Sequence, residues 1–519
     1  MQEHIVQTTT GAVRGFERDG RIDYLGIPYA ESPIGPLRFK RSVPKTPWEG
    51  VFDAKDYGPS PIQYNNGKVM GDEDCLTVNV QRPLTGDKLP VFVWIYGGGY
   101  NTGYSADEMY RGEAFVKDGI LFFSFNYRTN LLGFYDFGTY PGCEDFDSNR
   151  GLSDQILALN WIRQNVEAFG GDPERITIGG ESAGGASVIN MLVCPGVKGC
   201  FTQAIVESGL PNCVMTRQMA RENIDLFMEG MGWTAKDLQR LRTEDIRLFL
   251  NGHEYVQAKH QYKNPGIFLP GPVIDDLLPV RPIDALRAGA AEGIKLIIGT
   301  NMHEGTMFVH PENTGFPNNW TMVAQMLEKN GNADALLPML GFYHQKGRDY
   351  FTLFKDAAVS MASSLPPMSG DIRQIGGDAF IRFATDYAFE MPSVKVASAQ
   401  RQYTQDVWMY RYELVTKSGI ATGWKASHAF ELPAVFVKPD HEFSHFAFDG
   451  EDPEVFESIA RDMHGDWVRF ITTGEPNPDW QRFEGVKSPV RIYDRNTRTE
   501  TLDRRHLMQI WGDLRFYEN

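Results

Sequence analysis

The stretch Arg175–Ala186, RITIGGESAGGA, decides the reading of this chain. Ile176-Thr177-Ile178-Gly179 reads as a short buried strand that runs straight into Gly180-Glu181-Ser182-Ala183-Gly184, and the apolar run Ser187–Val193 that follows reads as a helix. A strand, a sharp turn and a helix with a serine at the apex is the context a Gly-x-Ser-x-Gly nucleophile turn requires. The serine has to adopt a strained backbone so that its hydroxyl clears the sheet, and Gly180, Ala183, Gly184 and Gly185 are the small neighbours such a turn needs. Serine is a weak nucleophile by itself, so this reading demands a base, an acid and an oxyanion site elsewhere in the chain.

Outward from the turn, apolar runs at Val91–Tyr96, Ile120–Phe125, Gln203–Glu207, Ile294–Gly299 and Val407–Glu413 predict strands. The first is almost wholly apolar, as a strand covered on both faces must be. Cys75–Gln81 is a further β-rich run, and Ile5–Thr8 with Ala12–Gly15 alternates about Thr10-Gly11 as an opening hairpin. Leu152–Phe169 carries Ile156, Leu159, Ile162 and Val166 on one helical face, and Pro453–Thr472 and Arg504–Leu514 also predict helices. Residues 216–250 and 321–400 read as mostly helical, and Lys417–Ser427 as a polar turn. Strands alternating with helices predict an α/β doubly wound sheet, in which the chemistry sits at the carboxyl ends of the strands.

The 519 residues contain no linker, charge block or internal repeat, and 42% apolar content is ample for a large core, so one elaborated domain over 1–519 is expected. Helical insertions are expected at roughly 216–290 and 310–400. The net charge of −16 argues against a nucleic-acid partner, which needs clustered Lys and Arg. No apolar run reaches the length of a membrane span, and MQEHIVQTTTGAV shows no basic-then-apolar leader, so a cytoplasmic location is expected. Five cysteines, an odd number, fit a reducing compartment, with Cys194 and Cys200 expected as buried free thiols. No Cys-x-x-Cys or clustered histidine set points to a metal, and no cofactor is called for. Monomer and homo-oligomer are both compatible with the sequence.

The remaining groups must follow strands. Glu304 lies four residues beyond Thr300, where a carboxylate can point inward over the sheet edge, with Asp275 and Asp276 as rivals after a Pro-rich loop. His428 lies past the strand that ends near Glu413, flanked by small residues and anchored by the helix-like run Leu432–Val437. His441 and His445 compete with it, although their charged surroundings read as a plain surface segment. Gly97-Gly98-Gly99 ends a buried strand, and its N–H groups, together with that of Ala183, can face a developing oxyanion.

With these residues in place the sequence resembles the type-B carboxylesterase (carboxylesterase/cholinesterase) family of α/β-hydrolases, along nearly its whole length. The resemblance rests on Gly26-Ile27-Pro28-Tyr29-Ala30 with Arg38-Phe39, on Glu73–Val80 around Cys75, and on Trp94–Tyr100. It continues through Phe169–Pro173 into Gly179–Gly185, through Gly299-Thr300-Asn301 with Glu304-Gly305, and through His428 with Glu431-Leu432-Pro433. Thr473–Asn477 followed by Trp480 closes it. It implies a central, mostly parallel twisted sheet with helices on both faces and helical insertions over the active site. It further implies a serine esterase with Ser182, Glu304 and His428 as triad, Gly98, Gly99 and Ala183 as oxyanion hole, and Ser208 as a buried serine hydrogen-bonded to the acid.

Two departures narrow this. No cysteine precedes Cys75, so the disulfide of secreted relatives cannot form, in keeping with a cytoplasmic bacterial-type member. The loop Gly58–Asp74 lacks the tryptophan with which cholinesterases hold choline, so choline esters are not expected as substrates. A small-molecule ester is the expected partner, with Tyr100, Phe308, Phe316, Met361 and Met368 as candidate lining and aryl or medium acyl esters favoured. Amide or carbamate hydrolysis with the same triad, and a catalytically silent binding role, are the alternatives.

Overall fold

The computed structural model describes residues 4–65, 67–309, 316–344 and 377–517. Its strands are β1 (His4–Thr8), β2 (Gly11–Arg18), β3 (Arg21–Pro28), β4 (Val51–Asp53), β5 (Gln63–Asn65), β6 (Lys68–Met70), β7 (Thr77–Pro83), β8 (Leu89–Ile95) and β9 (Leu121–Phe125). They continue as β10 (Gly171–Glu181), β11 (Gln203–Glu207), β12 (Lys295–Asn301), β13 (Val407–Tyr412), β14 (Lys487–Tyr493) and β15 (Arg498–Asp503).

One sheet runs β1-β2-β3-β7-β9-β8-β10-β11-β12-β13-β14-β15, with β4 beside β2, and β5 and β6 form a separate ribbon. From β9 through β14 every neighbouring pair is parallel. The flanks, β1-β2-β3-β7-β9 at one side and β14-β15 at the other, are antiparallel. The central strands read as continuous apolar runs because helices cover both faces, and Val91–Ile95 is fully buried.

The helix Arg150–Asn165 packs beside this sheet and supplies Asp154, which holds Arg128 just past β9. Two side-chain bonds of 2.7 and 2.8 Å and one from the Arg128 N–H at 2.9 Å satisfy that buried pair, which a core tolerates only when fully hydrogen-bonded. The helices Arg217–Met231 and Leu250–Lys263, within the expected first insertion, share a small core of their own with Leu131–Phe146.

Two local expectations are corrected. Lys417–Thr422 is a helix rather than a polar turn, because Thr416 accepts a hydrogen bond from Gly419 N–H and caps it. β14 and β15 close the sheet where no strand was read. His441 sits at the cap of a short surface helix, Glu442–Phe448, and its ring accepts from Phe443 N–H. All five cysteines, Cys194 and Cys200 included, are buried and unpaired.

Register places the site. Glu181, the last residue of β10, lies opposite Glu207, the last of β11, and Glu207 lies opposite Gly299 of β12. The residues that follow are Ser182 and Ser208. Each donates its backbone N–H to the neighbouring strand, Ser182 to Glu207 O and Ser208 to Gly299 O, both at 2.9 Å. Two serines therefore leave adjacent strands at the same level, at the carboxyl ends where an open parallel sheet presents its crevice.

Candidate active site

Ser182 stands between β10 and the helix Ala183–Val193 with φ 59° and ψ −122°, a conformation that side chains other than glycine rarely adopt. The helix can approach the sheet this closely only because residue 184 is glycine: a Cβ there would lie 2.0 Å from Ile95 O. Ser208, at φ 49°, is strained in the same sense.

Glu304 follows β12 in a single 3₁₀ turn and is fully buried. Its Oε1 accepts from Ser208 Oγ at 2.5 Å and from Asn301 N–H at 2.6 Å, and its Oε2 lies 2.5 Å from His428 Nδ1. With Oε1 engaged twice, only Oε2 is left to face the imidazole. The rivals Asp275 and Asp276 point elsewhere, to Arg41 at 2.9 and 2.7 Å.

His428 sits in the segment Ala426–Glu431, which Ala429, at φ 66°, bends sharply just after it. The rings of Phe389 and Phe308 pack against the imidazole at 5.0 and 5.1 Å between centroids. Its Nε2 lies 3.0 Å from Glu181 Oε1, but the two atoms are not aligned as a hydrogen bond and neither has such a partner among the described residues.

The expected oxyanion segment follows β8. Gly98 has φ 103°, and a Cβ there would come within 2.5 Å of Thr102 O, so only glycine fits this loop. Among the described residues none of the N–H groups of Gly98, Gly99 and Ala183 donates to a protein acceptor, and that of Ala183 is one of the unpaired donors opening its helix. Asn101, just beyond, donates to Leu269 O at 3.0 Å and so ties the loop to the inserted segment.

Sequence reasoning missed a set of buried carboxyls beneath these groups. Glu181, Glu207 and Glu431 are buried beside Glu304. Burial, and then repulsion by Glu304 and Glu207, pushes the Glu181 carboxyl well above the usual range. Burial pushes Glu207 up to about 8 against one favourable bond from Trp467 Nε1–H at 2.7 Å. Burial and the other three carboxylates raise Glu431, while Asn301 Nδ2 donates to it. Glu181 and Glu431 lie within the motifs read from sequence, but nothing in sequence distinguishes a buried carboxyl from a solvated one.

Of the expected lining residues, Phe308 and Phe316 belong to an aromatic cluster with Phe268 and Phe389 at the imidazole. Tyr100 does not line the site: it is buried at the helix Ala183–Val193, its hydroxyl 3.2 Å from Ser187 Oγ. Met361 and Met368 lie outside the described residues.

The profile of the carboxylesterase family matches residues 2–511. The para-nitrobenzyl esterase of Bacillus subtilis (strain 168) is 33% identical over 507 residues, covering 95% of each chain. The phenmedipham hydrolase of Pseudarthrobacter oxydans is 31% identical over 94% of each. A solved thermophilic PNB esterase superposes with a TM-score of 0.82 at 30% identity, covering 98% of this chain and 100% of its own.

Proposed function

This chain belongs to the carboxylesterase family, and on that premise we propose that its hydrolysis of carboxylic esters runs through Ser182, His428 and Glu304. His428 Nε2 takes the Ser182 proton as Oγ attacks the ester carbonyl. Glu304 holds the imidazole in the Nδ1–H tautomer and stabilises the cation that forms. The N–H groups of Gly98, Gly99 and Ala183 receive the oxyanion, each contributing about 3 kcal/mol to barrier lowering by analogy with measured oxyanion donors. The imidazolium then protonates the leaving alcohol, and a water deprotonated by the same nitrogen releases the acid from the acyl-enzyme. The observation that carries this reading is the 2.5 Å contact between His428 Nδ1 and a Glu304 carboxylate fixed on its other oxygen, with Nε2 left unengaged.

The aromatic cluster around Phe308 and Phe389 favours esters with an aryl or a short to medium acyl part, because such groups bury against rings without needing polar partners. Five unpaired cysteines support a cytoplasmic setting, and no helix among the described residues is long and apolar enough to cross a membrane. We take residues 1–519 as one catalytic domain, supported by a main core that reaches from Val13 to Tyr517.

A time course on p-nitrophenyl acetate, butyrate and octanoate with parent and Ser182→Ala tests the assignment. Turnover by the parent alone is expected, with the chain-length trend sizing the acyl pocket. Turnover that survives in a folded Ser182→Ala protein would overturn the nucleophile.

A further inference from the structure

The contact between Glu304 and His428 joins two segments more than 120 residues apart, 304 and 428 in the chain. One residue holds both. Asn301, the last residue of β12 and fully buried, donates its backbone N–H to Glu304 Oε1 at 2.6 Å. Its side-chain Nδ2 spends both protons on the histidine segment: one on Ser427 O at 2.6 Å, in the peptide that leads into His428, and one on Glu431 Oε2. The left-handed Ala429 follows the histidine at once, so His428 is presented between a tethered carbonyl and a sharp bend.

We infer that Asn301 is a positioning residue of the reaction, fixing the His428 imidazole against Glu304 and toward Ser182 through the Ser427 carbonyl. The chemistry is specific to a carboxamide of this length. It offers two donors from one nitrogen, the number needed for a carbonyl and a carboxyl at once. Aspartate fills the same volume, but when ionised it has no proton to give and would add a charge to a site already crowded with carboxyls. Alanine removes both donors and, among the described residues, leaves Ser427 O with the long bond from Phe430 N–H at 3.3 Å alone. A shift of the imidazole by a fraction of an ångström lowers turnover without touching the substrate, so the loss belongs in kcat rather than KM.

This inference rests on the assignment of Glu304 and His428 above. The test compares parent, Asn301→Ala, Asn301→Asp and His428→Ala on p-nitrophenyl butyrate across pH, with active sites counted by a fluorophosphonate. In both Asn301 variants kcat per counted site is expected to fall at least about 20-fold, with KM changed less than about 3-fold. In Asn301→Ala the acid limb of kcat/KM should move to lower pH, because a less aligned Glu304 stabilises the imidazolium less. A kcat per site within about 3-fold of the parent and an unmoved acid limb, or a loss confined to the number of countable sites, would overturn the inference. Asn301→Asp keeps the volume and decides the matter if the alanine variant does not fold. Turnover surviving in His428→Ala would remove the base assignment and this inference together. Its loss there, with both Asn301 variants unaffected, would remove this inference alone.

Discussion

Glu181 Oε1 lies 3.0 Å from His428 Nε2, the ring nitrogen turned away from Glu304. The imidazole thus stands between two carboxyl groups, yet they are not equivalent. Glu304 is fixed by Ser208 Oγ and Asn301 N–H, whereas burial, and then the neighbouring Glu304 and Glu207, push the Glu181 carboxyl well above the usual range.

Replacing Glu181 by glutamine, a neutral isostere, should therefore change kcat at pH 7 by less than about 5-fold, while Glu304→Gln should lower it about 10³–10⁴-fold. In the parent, raising the pH far enough to ionise Glu181 would place a second negative charge beside the reacting groups, opposing the negative charge that develops on the oxyanion. An alkaline limb in kcat/KM that is shifted or lost in Glu181→Gln checks this; identical profiles would refute it.

Glu207 bears on stability rather than rate. Its carboxyl moves from 4.5 to about 8 on folding, so between these values the unfolded chain has lost a proton that the folded chain keeps. Stability contributed by this group is full below about 4.5, falls as the pH rises through the window to about 8, and levels off above it. Glu207→Gln keeps the acceptor for Trp467 Nε1–H and cannot ionise. Its melting temperature relative to the parent should rise by about 2 °C between pH 5 and pH 8.5, measured by calorimetry in matched buffers.

Ser208→Ala removes one of the two donors on Glu304 Oε1 and leaves the Asn301 N–H in place. A hydrogen bond to a buried carboxylate contributes about 1.5–3 kcal/mol, so kcat should fall about 10–100-fold with KM little altered. Steady-state kinetics on one p-nitrophenyl ester suffices, and a fall below 3-fold would show that Asn301 alone fixes the acid.

Gly98→Ala asks a side chain to adopt φ 103° with its Cβ 2.5 Å from Thr102 O, so the loop must shift and carry its N–H groups with it. A loss of about 10²–10³ in kcat is expected, comparable to deleting one oxyanion donor. Reactivity of Ser182 toward a fluorophosphonate, which also builds charge on oxygen, should fall in parallel.

The central strands were legible because full burial on both faces leaves nothing but apolar residues, and β11 begins and ends where its apolar run does. Lys487–Tyr493 and Arg498–Asp503 were not, since a proline and alternating charges at the sheet's edge mimic a loop. Ser182, Glu304 and His428 were singled out as candidates by their positions after strands. The roles of Asn301, Glu207 and Glu431 were not, because which buried carboxyl keeps its proton is set by neighbours that only the folded chain brings together. Tyr100 was misplaced for the same reason: a tyrosine after three glycines reads as a pocket wall until its left-handed backbone, at φ 59°, turns it into the core.

The strands from β10 to β15 are laid side by side in the order in which they occur along the chain. During translation the sheet therefore grows outward at one edge, and Ser182 leaves the ribosome long before His428, which must wait for β13. A nascent chain can finish its elbow while its hydroxyl is still chemically inert. On the proposed assignment, a chain interrupted before residue 428 carries the serine without its base.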